Sequence, residues 1–365
     1  MKLLYITNQI SGAAGLERVL SIKASYLADN LDYEVHILTL NQKNKPLFYN
    51  FSDKLIYHDI PIEGNTLAYF FKYIKGIKNT IKKVNPDVIS VCDDGLKGFF
   101  VPFFTKKTCP MIYERHVSIS VEQKQDKTSF FSSLANKLKH KLMLFAAKKY
   151  DAFVVLTNGN LKEWDLNNLM VISNPLPFSS EKKSDLNSKT VLAVGRQSYQ
   201  KGYDRLLKSW QIVNKKHPDW KLDIYGKFDE QLHLRENSQT LGISKSVTFY
   251  KPVKNIEDKY KEASIYVMPS RFEGFGMVLI EAMSYGLPCV SFNCPYGPSD
   301  IISQYKDGIL VENGDIDEFA KSISQLIENE SLRRELGKNA QVKATHYLPE
   351  KIMAKWDGLF KSLIQ

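Results

Sequence analysis

The chain has 365 residues, of which 43% are hydrophobic and 25% charged, with a formal net charge of +10. That length exceeds one ordinary core and suits two domains, and the composition excludes a globally disordered chain. Cys92, Cys109, Cys289 and Cys294 show no CxxC spacing and sit in or beside apolar stretches. Reduced core thiols in a cytoplasmic protein fit this better than a disulfide frame or a zinc site.

Lys2 to Thr7 reads as a buried first strand, since the apolar run is too short for the core of a signal peptide. The most hydrophobic run, Phe99 to Phe104, is broken by Pro102 and is far too short to span a bilayer, so no transmembrane helix is expected. Further strands are predicted near Glu34 to Leu40, Val88 to Cys92, Met111 to Glu114, Phe153 to Leu156 and Val171 to Ser173. Short β-rich runs alternating with helical stretches are the pattern of parallel sheets covered on both faces.

Two predicted helices of this half are basic. Leu67 to Val84 carries Lys72, Lys75, Lys78, Lys82 and Lys83 with no acidic residue, and Phe70, Ile74, Ile77, Ile81 and Val84 at helical spacing. Lys127 to Tyr150 repeats the pattern, with Lys137, Lys139, Lys141, Lys148 and Lys149 beside Leu134, Leu138, Leu142 and Phe145. Two readings stay open: peripheral docking on an anionic membrane, where each lysine gains about 1 kcal/mol, or helices that turn their apolar side to their own sheet. No nucleic-acid recognition motif accompanies the lysines, so a nucleic-acid partner is not expected.

Asn174 to Lys189 is turn-rich and charged and interrupts the periodicity. We therefore expect a first domain over residues 1–175, a linker over 176–189 and a second domain over 190–348, with strands near Val191 to Val194, Lys221 to Tyr225, Val247 to Phe249, Ile265 to Met268 and Cys289 to Phe292. Helices Ile316 to Ile327 and Ser331 to Ala344 close that domain. Residues 349–365 carry Ile352, Met353, Trp356, Leu359, Phe360 and Leu363 on a helix that has to pack, with the first domain as a candidate surface.

The densest chemical signal is Ser270-Arg-Phe-Glu-Gly-Phe-Gly-Met-Val-Leu-Ile-Glu281. It follows a strand, turns through Gly274 and Gly276 and enters a helix, which points free N–H groups and the helix dipole at whatever lies above the sheet edge. Such a turn suits a diphosphate or a hydroxyl-rich sugar. Glu281 sits among apolar residues, where a buried carboxylate needs donors such as ribose hydroxyls. The plain alternative is a capped turn with Glu281 exposed. Gly195-Arg196 and Lys201-Gly202 flank a second strand-to-helix turn, placing two cations where open α/β sheets bind ligands. Ser11 to Arg18, a turn through Gly12 and Gly15, is not GxGxxG, and the second strand ends Leu40-Asn41-Gln42 without an acidic residue, which counts against a dinucleotide enzyme.

Together these stretches resemble the family four retaining glycosyltransferases of bacterial surface-polysaccharide type, over nearly the whole chain. Glu273 and Glu281 match the family's E-x7-E signature, Arg196 and Lys201 its GR-x4-KG signature, and Ala14-Gly15-Leu16-Glu17-Arg18 its N-terminal loop. The resemblance implies an α/β chain of GT-B fold, two facing Rossmann-like domains with parallel sheets and an interdomain cleft. It implies that Arg196 and Lys201 hold the donor diphosphate, that Glu281 takes the ribose, and that Glu273 with the backbone of Gly274, Phe275, Gly276, Met277 and Val278 holds the sugar and phosphate. Pro252 and Val253 fall where members contact the base, Gly15 where a loop meets substrate, and His116 of Glu114-Arg115-His116 where members place a sugar-contacting catalytic group. The chemistry implied is transfer of a hexose or N-acetylhexosamine from a nucleotide-sugar, with UDP the best guess, to a saccharide or lipid-linked acceptor.

Three positions depart from the family pattern. Ala14 replaces a glycine, Tyr225-Gly226-Lys227-Phe228 lacks a second glycine, and Asp315-Ile-Asp317 looks like a metal-binding DxD but precedes an amphipathic helix, as a cap would. No metal or other cofactor is required by these residues. A sugar phosphorylase or nucleotide-sugar epimerase on the same fold, and a non-catalytic nucleotide-sugar-binding subunit, remain the alternatives.

Overall fold

The computed structural model describes residues 1–12, 14–93, 95–119, 130–178 and 182–365, and for 66, 67 and 130–133 the backbone alone. Ala13 of the first turn, Lys127 of the second basic stretch and residues 179–181 of the expected linker lie outside the described residues. The chain divides into one compact unit of Met1–Pro177 with Pro349–Gln365, and another of Phe178–Leu348.

In the first unit, β1 (Lys2–Thr7), β2 (Glu34–Leu40), β3 (Ile56–Ile60), β4 (Val88–Cys92), β5 (Met111–Glu114), β6 (Ala152–Val155) and β7 (Leu169–Val171) form a parallel sheet ordered β3-β2-β1-β4-β5-β6-β7. Side chains alternate across it. Leu3 and Tyr5 enter one core with Leu20, Ala24 and Leu27 of α1 (Gly15–Asn30), while Leu4 and Ile6 enter the other with Tyr113 and Phe153. The C-terminal helix Pro349–Ile364 belongs to this unit because Ile352, Met353, Trp356, Leu359 and Phe360 fall on one helical face, all buried in the core that α1 covers.

The two basic helices behave differently. In α2 (Thr66–Val84), Tyr73, Ile77, Ile81 and Val84 are buried on the sheet, while Phe70 of the expected stripe is exposed. In α3 (Phe130–Ala147) the buried side is Met143, Ala146 and Ala147, and the leucine stripe, for which packing on the sheet was one of two open readings, is exposed.

In the second unit, β8 (Thr190–Val194), β9 (Lys221–Tyr225), β10 (Val247–Tyr250), β11 (Ile265–Met268), β12 (Cys289–Asn293) and β13 (Ile309–Glu312) form a parallel sheet ordered β10-β9-β8-β11-β12-β13. Its longer helices are α4 (Tyr203–Lys216), α5 (Leu234–Thr240), α6 (Ile256–Glu262), α7 (Met277–Ser284), α8 (Ile316–Glu328) and α9 (Glu330–Ala344). The strand order reverses between β8 and β11, which opens a crevice for ligand at their C-terminal ends. Asp315 caps α8, its side chain accepting from the Glu318 N–H at 2.9 Å.

Three expectations need correction. The sequence reading placed no strand at β3 or β13. Both are edge strands, and β3 exposes Ile56 and Tyr57 rather than presenting a buried apolar run. β7 begins two residues before the expected Val171, since Leu169 pairs with Phe153 and Val171 with Val155. The expected linker is also held by the second unit: Leu186 is buried, the Ser184 N–H donates to the Tyr285 carbonyl at 3.0 Å, and Lys183 Nζ donates to the Ser284 carbonyl at 2.9 Å. Turn-rich composition does not reveal partners about a hundred residues away.

Candidate active site

The two motif turns of the second unit follow β8 and β11, the strands on either side of the reversal. Gly202 ends the first turn at φ 68°, and a Cβ there would stand 2.1 Å from the Pro269 carbonyl oxygen. Only glycine lets the first turn lie against the exit of β11. Arg271 then laces the turns together. Its guanidinium forks onto Asp204 at 2.8 and 2.6 Å, donates to the Tyr199 carbonyl at 2.7 Å and lies 3.9 Å from the Tyr199 ring centre. The Arg271 N–H donates to the Gln200 carbonyl at 2.8 Å, and Gln200 Nε2 donates to the Phe272 carbonyl at 3.1 Å. Burial pushes the Asp204 carboxyl up, but the Arg271 fork outweighs it and leaves that pKa below its ordinary value.

This bracing brings Lys201 and Glu273 together. Lys201 Nζ lies 2.6 Å from Glu273 Oε1, which also accepts from Ser270 Oγ at 2.6 Å, and Glu273 is buried. Arg196, in contrast, is exposed and makes no side-chain hydrogen bond among the described residues. Gly276, at φ 96°, reverses the chain into α7, whose first N–H groups at Met277 and Val278 lack intrahelical partners. A half-buried ammonium, an exposed guanidinium and a helix N-terminus thus lie at one sheet edge, as stabilisation of an anionic leaving group requires.

Glu281 lies on the buried side of α7, so the exposed alternative is excluded. Tyr260 of α6 supplies one of its donors, Oη to Glu281 Oε2 at 2.9 Å. Pro252 and Val253 follow the edge strand β10 and are exposed, beside the stacked rings of Tyr225 and Tyr250 with centres 4.4 Å apart. Burial raises the Cys294 thiol pKa well above its ordinary value, so this cysteine is a neutral wall residue.

In the first unit, the order likewise reverses between β1 and β4, and Asn8 after β1 donates to Asp93 after β4 at 2.9 Å. Gly15 opens α1, and a Cβ there would meet nothing within 4 Å, so the fold does not itself demand glycine. His116 follows β5, with Nε2 3.2 Å from Glu114 Oε2. That same oxygen faces Lys23 Nζ at 2.5 Å, while Ser90 Oγ donates to Glu114 Oε1 at 2.6 Å. Lys23 is held in turn over the Trp356 ring, 3.5 Å from its centre. Burial alone would raise the Glu114 pKa, but the Lys23 charge and His116 bring it down to about 2. Cys92, Glu114 and His116 are the described residues that gather three possible metal ligands, within 4.8 Å of one another. Lys23 already places a positive charge on that carboxylate, which opposes a metal ion there.

Arg271, Asp204, Ser270, Tyr260 and Lys23 were not singled out from sequence. Arg271 and Ser270 stand inside the recognised motif, and Lys23 interrupts the apolar face of α1, so all three carried a readable signal. Tyr260 carried none, because its partner is 21 residues away on another helix.

Two Rossmann-like parallel sheets, with cations and a helix N-terminus at a strand-order reversal, are the architecture of the GT-B glycosyltransferases. The profile of the family "Glycosyl transferases group 1" matches residues 177–343. Over 98% of this chain and 99% of its relative, the sequence is 30% identical to an uncharacterized glycosyltransferase of Haemophilus influenzae. At the same coverages it is 32% identical to the amylovoran biosynthesis glycosyltransferase AmsD of Erwinia amylovora. The crystal structure of Anabaena HepE in complex with UDP-glucose shares the fold, with a TM-score of 0.78 at 18% identity over 100% of both chains. The chain belongs to the group 1 glycosyl transferases, and it is a glycosyltransferase.

Proposed function

We propose that the enzyme transfers a hexose or N-acetylhexosamine from a UDP-sugar, with retention of configuration and without a metal ion, to a saccharide or lipid-linked saccharide of a bacterial surface polysaccharide. The observation that carries this reading is the convergence of Lys201, Glu273, Arg196 and the α7 N-terminus at the sheet edge of the second unit. The capsular polysaccharide biosynthesis in the name of the relative CapM of Staphylococcus aureus, and the UDP-glucose held by the HepE structure, support the substrate classes.

Arg196 and Lys201 meet the charge that grows on the diphosphate as the anomeric carbon–oxygen bond breaks. Glu281 receives the ribose hydroxyls, Pro252 and Val253 face the base, and Glu273 with residues 274–278 holds the sugar and phosphate. Gly15 and His116 are the contributions of the first unit, Gly15 as substrate approach and His116 as sugar contact. The acceptor oxygen attacks the same face of the sugar that UDP leaves. Its proton passes to the departing phosphate oxygen, whose electron pair comes from the broken bond.

A thermal-shift screen across nucleotide sugars identifies the donor, since a ligand that binds the folded state raises its stability. With that donor, UDP release should require an added saccharide acceptor, and NMR of the product should show the donor's anomeric configuration. Stoichiometric UDP release without acceptor, or an inverted product, contradicts the proposal.

A further inference from the structure

Leu134, Leu138, Leu142 and Phe145 recur at helical spacing along one side of α3, opposite the buried Met143, Ala146 and Ala147. Leu134, Leu138 and Phe145 are 60%, 59% and 56% exposed, so this stripe faces solvent rather than the sheet. The apolar surface continues beyond the helix. Phe145 stacks on Phe103 with ring centres 5.4 Å apart, Phe103 meets Phe100 at a tilt at 5.5 Å, Phe100 stacks on Phe104 at 6.3 Å, and Phe104 meets Phe70 of α2 edge-on at 5.0 Å. Phe71, beside Phe70, is the most exposed large apolar residue described, at 69%. A monomeric soluble protein seldom leaves so continuous an apolar face uncovered.

Charge identifies what covers it. The helices α2 and α3 together carry eight lysines and no acidic residue. Lys137 and Lys141 lie next to the leucine stripe and are exposed. A second copy docked through the same face would set lysine rims against each other, because a twofold interface pairs a patch with itself. An anionic bilayer satisfies both features: its interface takes the leucines and phenylalanines while its headgroups meet the lysines.

We infer that the α3 stripe and the phenylalanine ladder are a docking face for an anionic membrane surface. The inference is independent of the sugar chemistry, because it concerns binding without donor or acceptor. The face holds α3 flat on the bilayer, with its apolar side in the interface and the helix axis along the surface. A lipid-linked acceptor would then be met at its own depth.

Vesicle co-sedimentation of the full chain tests this, with phosphatidylcholine vesicles compared with vesicles that also contain phosphatidylglycerol. The chain should sediment with the phosphatidylglycerol vesicles only, and less so as salt is raised. Replacing Leu134, Leu138 and Phe145 together by serine should lower the partition coefficient at least about tenfold. Independently, Lys137→Gln and Lys141→Gln should each lower it about fivefold, and these exposed changes leave the fold intact. Failure of the chain to sediment with either vesicle overturns the inference, as does full binding by the lysine variants. Light scattering that shows a dimer abolished by the serine variant would assign the face to self-association instead.

Discussion

Lys201 and Glu273, 72 residues apart in sequence, meet at 2.6 Å where the exits of β8 and β11 adjoin. The pair gives the ammonium a fixed position before any donor arrives, so no reorganisation is needed as negative charge develops on the leaving diphosphate. Lys201→Ala should therefore lower turnover by about two orders of magnitude or more. It should also cost about 1–3 kcal/mol of stability, because Glu273 is left buried with Ser270 as its remaining donor in the pair. Steady-state kinetics and a denaturant melt measure both effects, and near-normal turnover would remove Lys201 from the leaving-group site.

Arg196 separates chemistry from folding. It is exposed and holds no described side chain, so Arg196→Ala should leave stability within about 0.5 kcal/mol of the parent. Turnover should nevertheless fall about a hundredfold. A variant with unchanged kcat and KM would make this arginine an ordinary surface cation.

The Arg271–Asp204 fork is expected to act on the site at one remove. Either alanine variant should free the two turns from each other and raise KM for the donor more than it lowers kcat. Because Asp204 is partly exposed, a double-mutant cycle should give a coupling of only ~1 kcal/mol in stability. Strictly additive effects would mean that the fork does not brace the turns.

Glu114 gives the first unit a defined acid sensitivity. Its folded pKa of about 2 lies below the ordinary 4.5, so its ionised form stabilises the folded state. That contribution is full above pH 4.5 and is lost as the pH falls toward 2. Glu114→Gln should remove this part of the acid slope. At neutral pH it should cost about 3–5 kcal/mol, since Lys23 would be left buried without its counter-charge. Thermal melts from about pH 7 down to about pH 2, which span the loss, measure both. An unchanged slope would show that the pair is not what tunes this carboxyl.

Much of the fold was legible because parallel strands covered on both faces appear as unbroken apolar runs. The bounds of β1, β2, β4, β5, β9 and β11 fall where those runs begin and end. β3 was hidden because an edge strand exposes Ile56 and Tyr57, and β13 because, unlike the equally short β5 and β11, it is an edge strand that buries only Ile309 and Val311 and ends on the exposed Glu312. In the site, each strand–turn–helix junction was readable as a local pattern. What joins the junctions was not: Asp204 and Arg271 lie 67 residues apart, and Ser284 and Lys183 lie 101 apart. Amphipathic spacing located the α3 stripe but could not tell which side of the helix faces the sheet, since alanines and one methionine make an equally good packing face.

The most direct test of the leaving-group site is a crystal structure of the enzyme with UDP bound. Its pyrophosphate should lie within hydrogen-bonding distance of Lys201, Arg196 and the first N–H groups of α7, with the ribose on Glu281. A pyrophosphate bound elsewhere, with both cations directed into solvent, would contradict it.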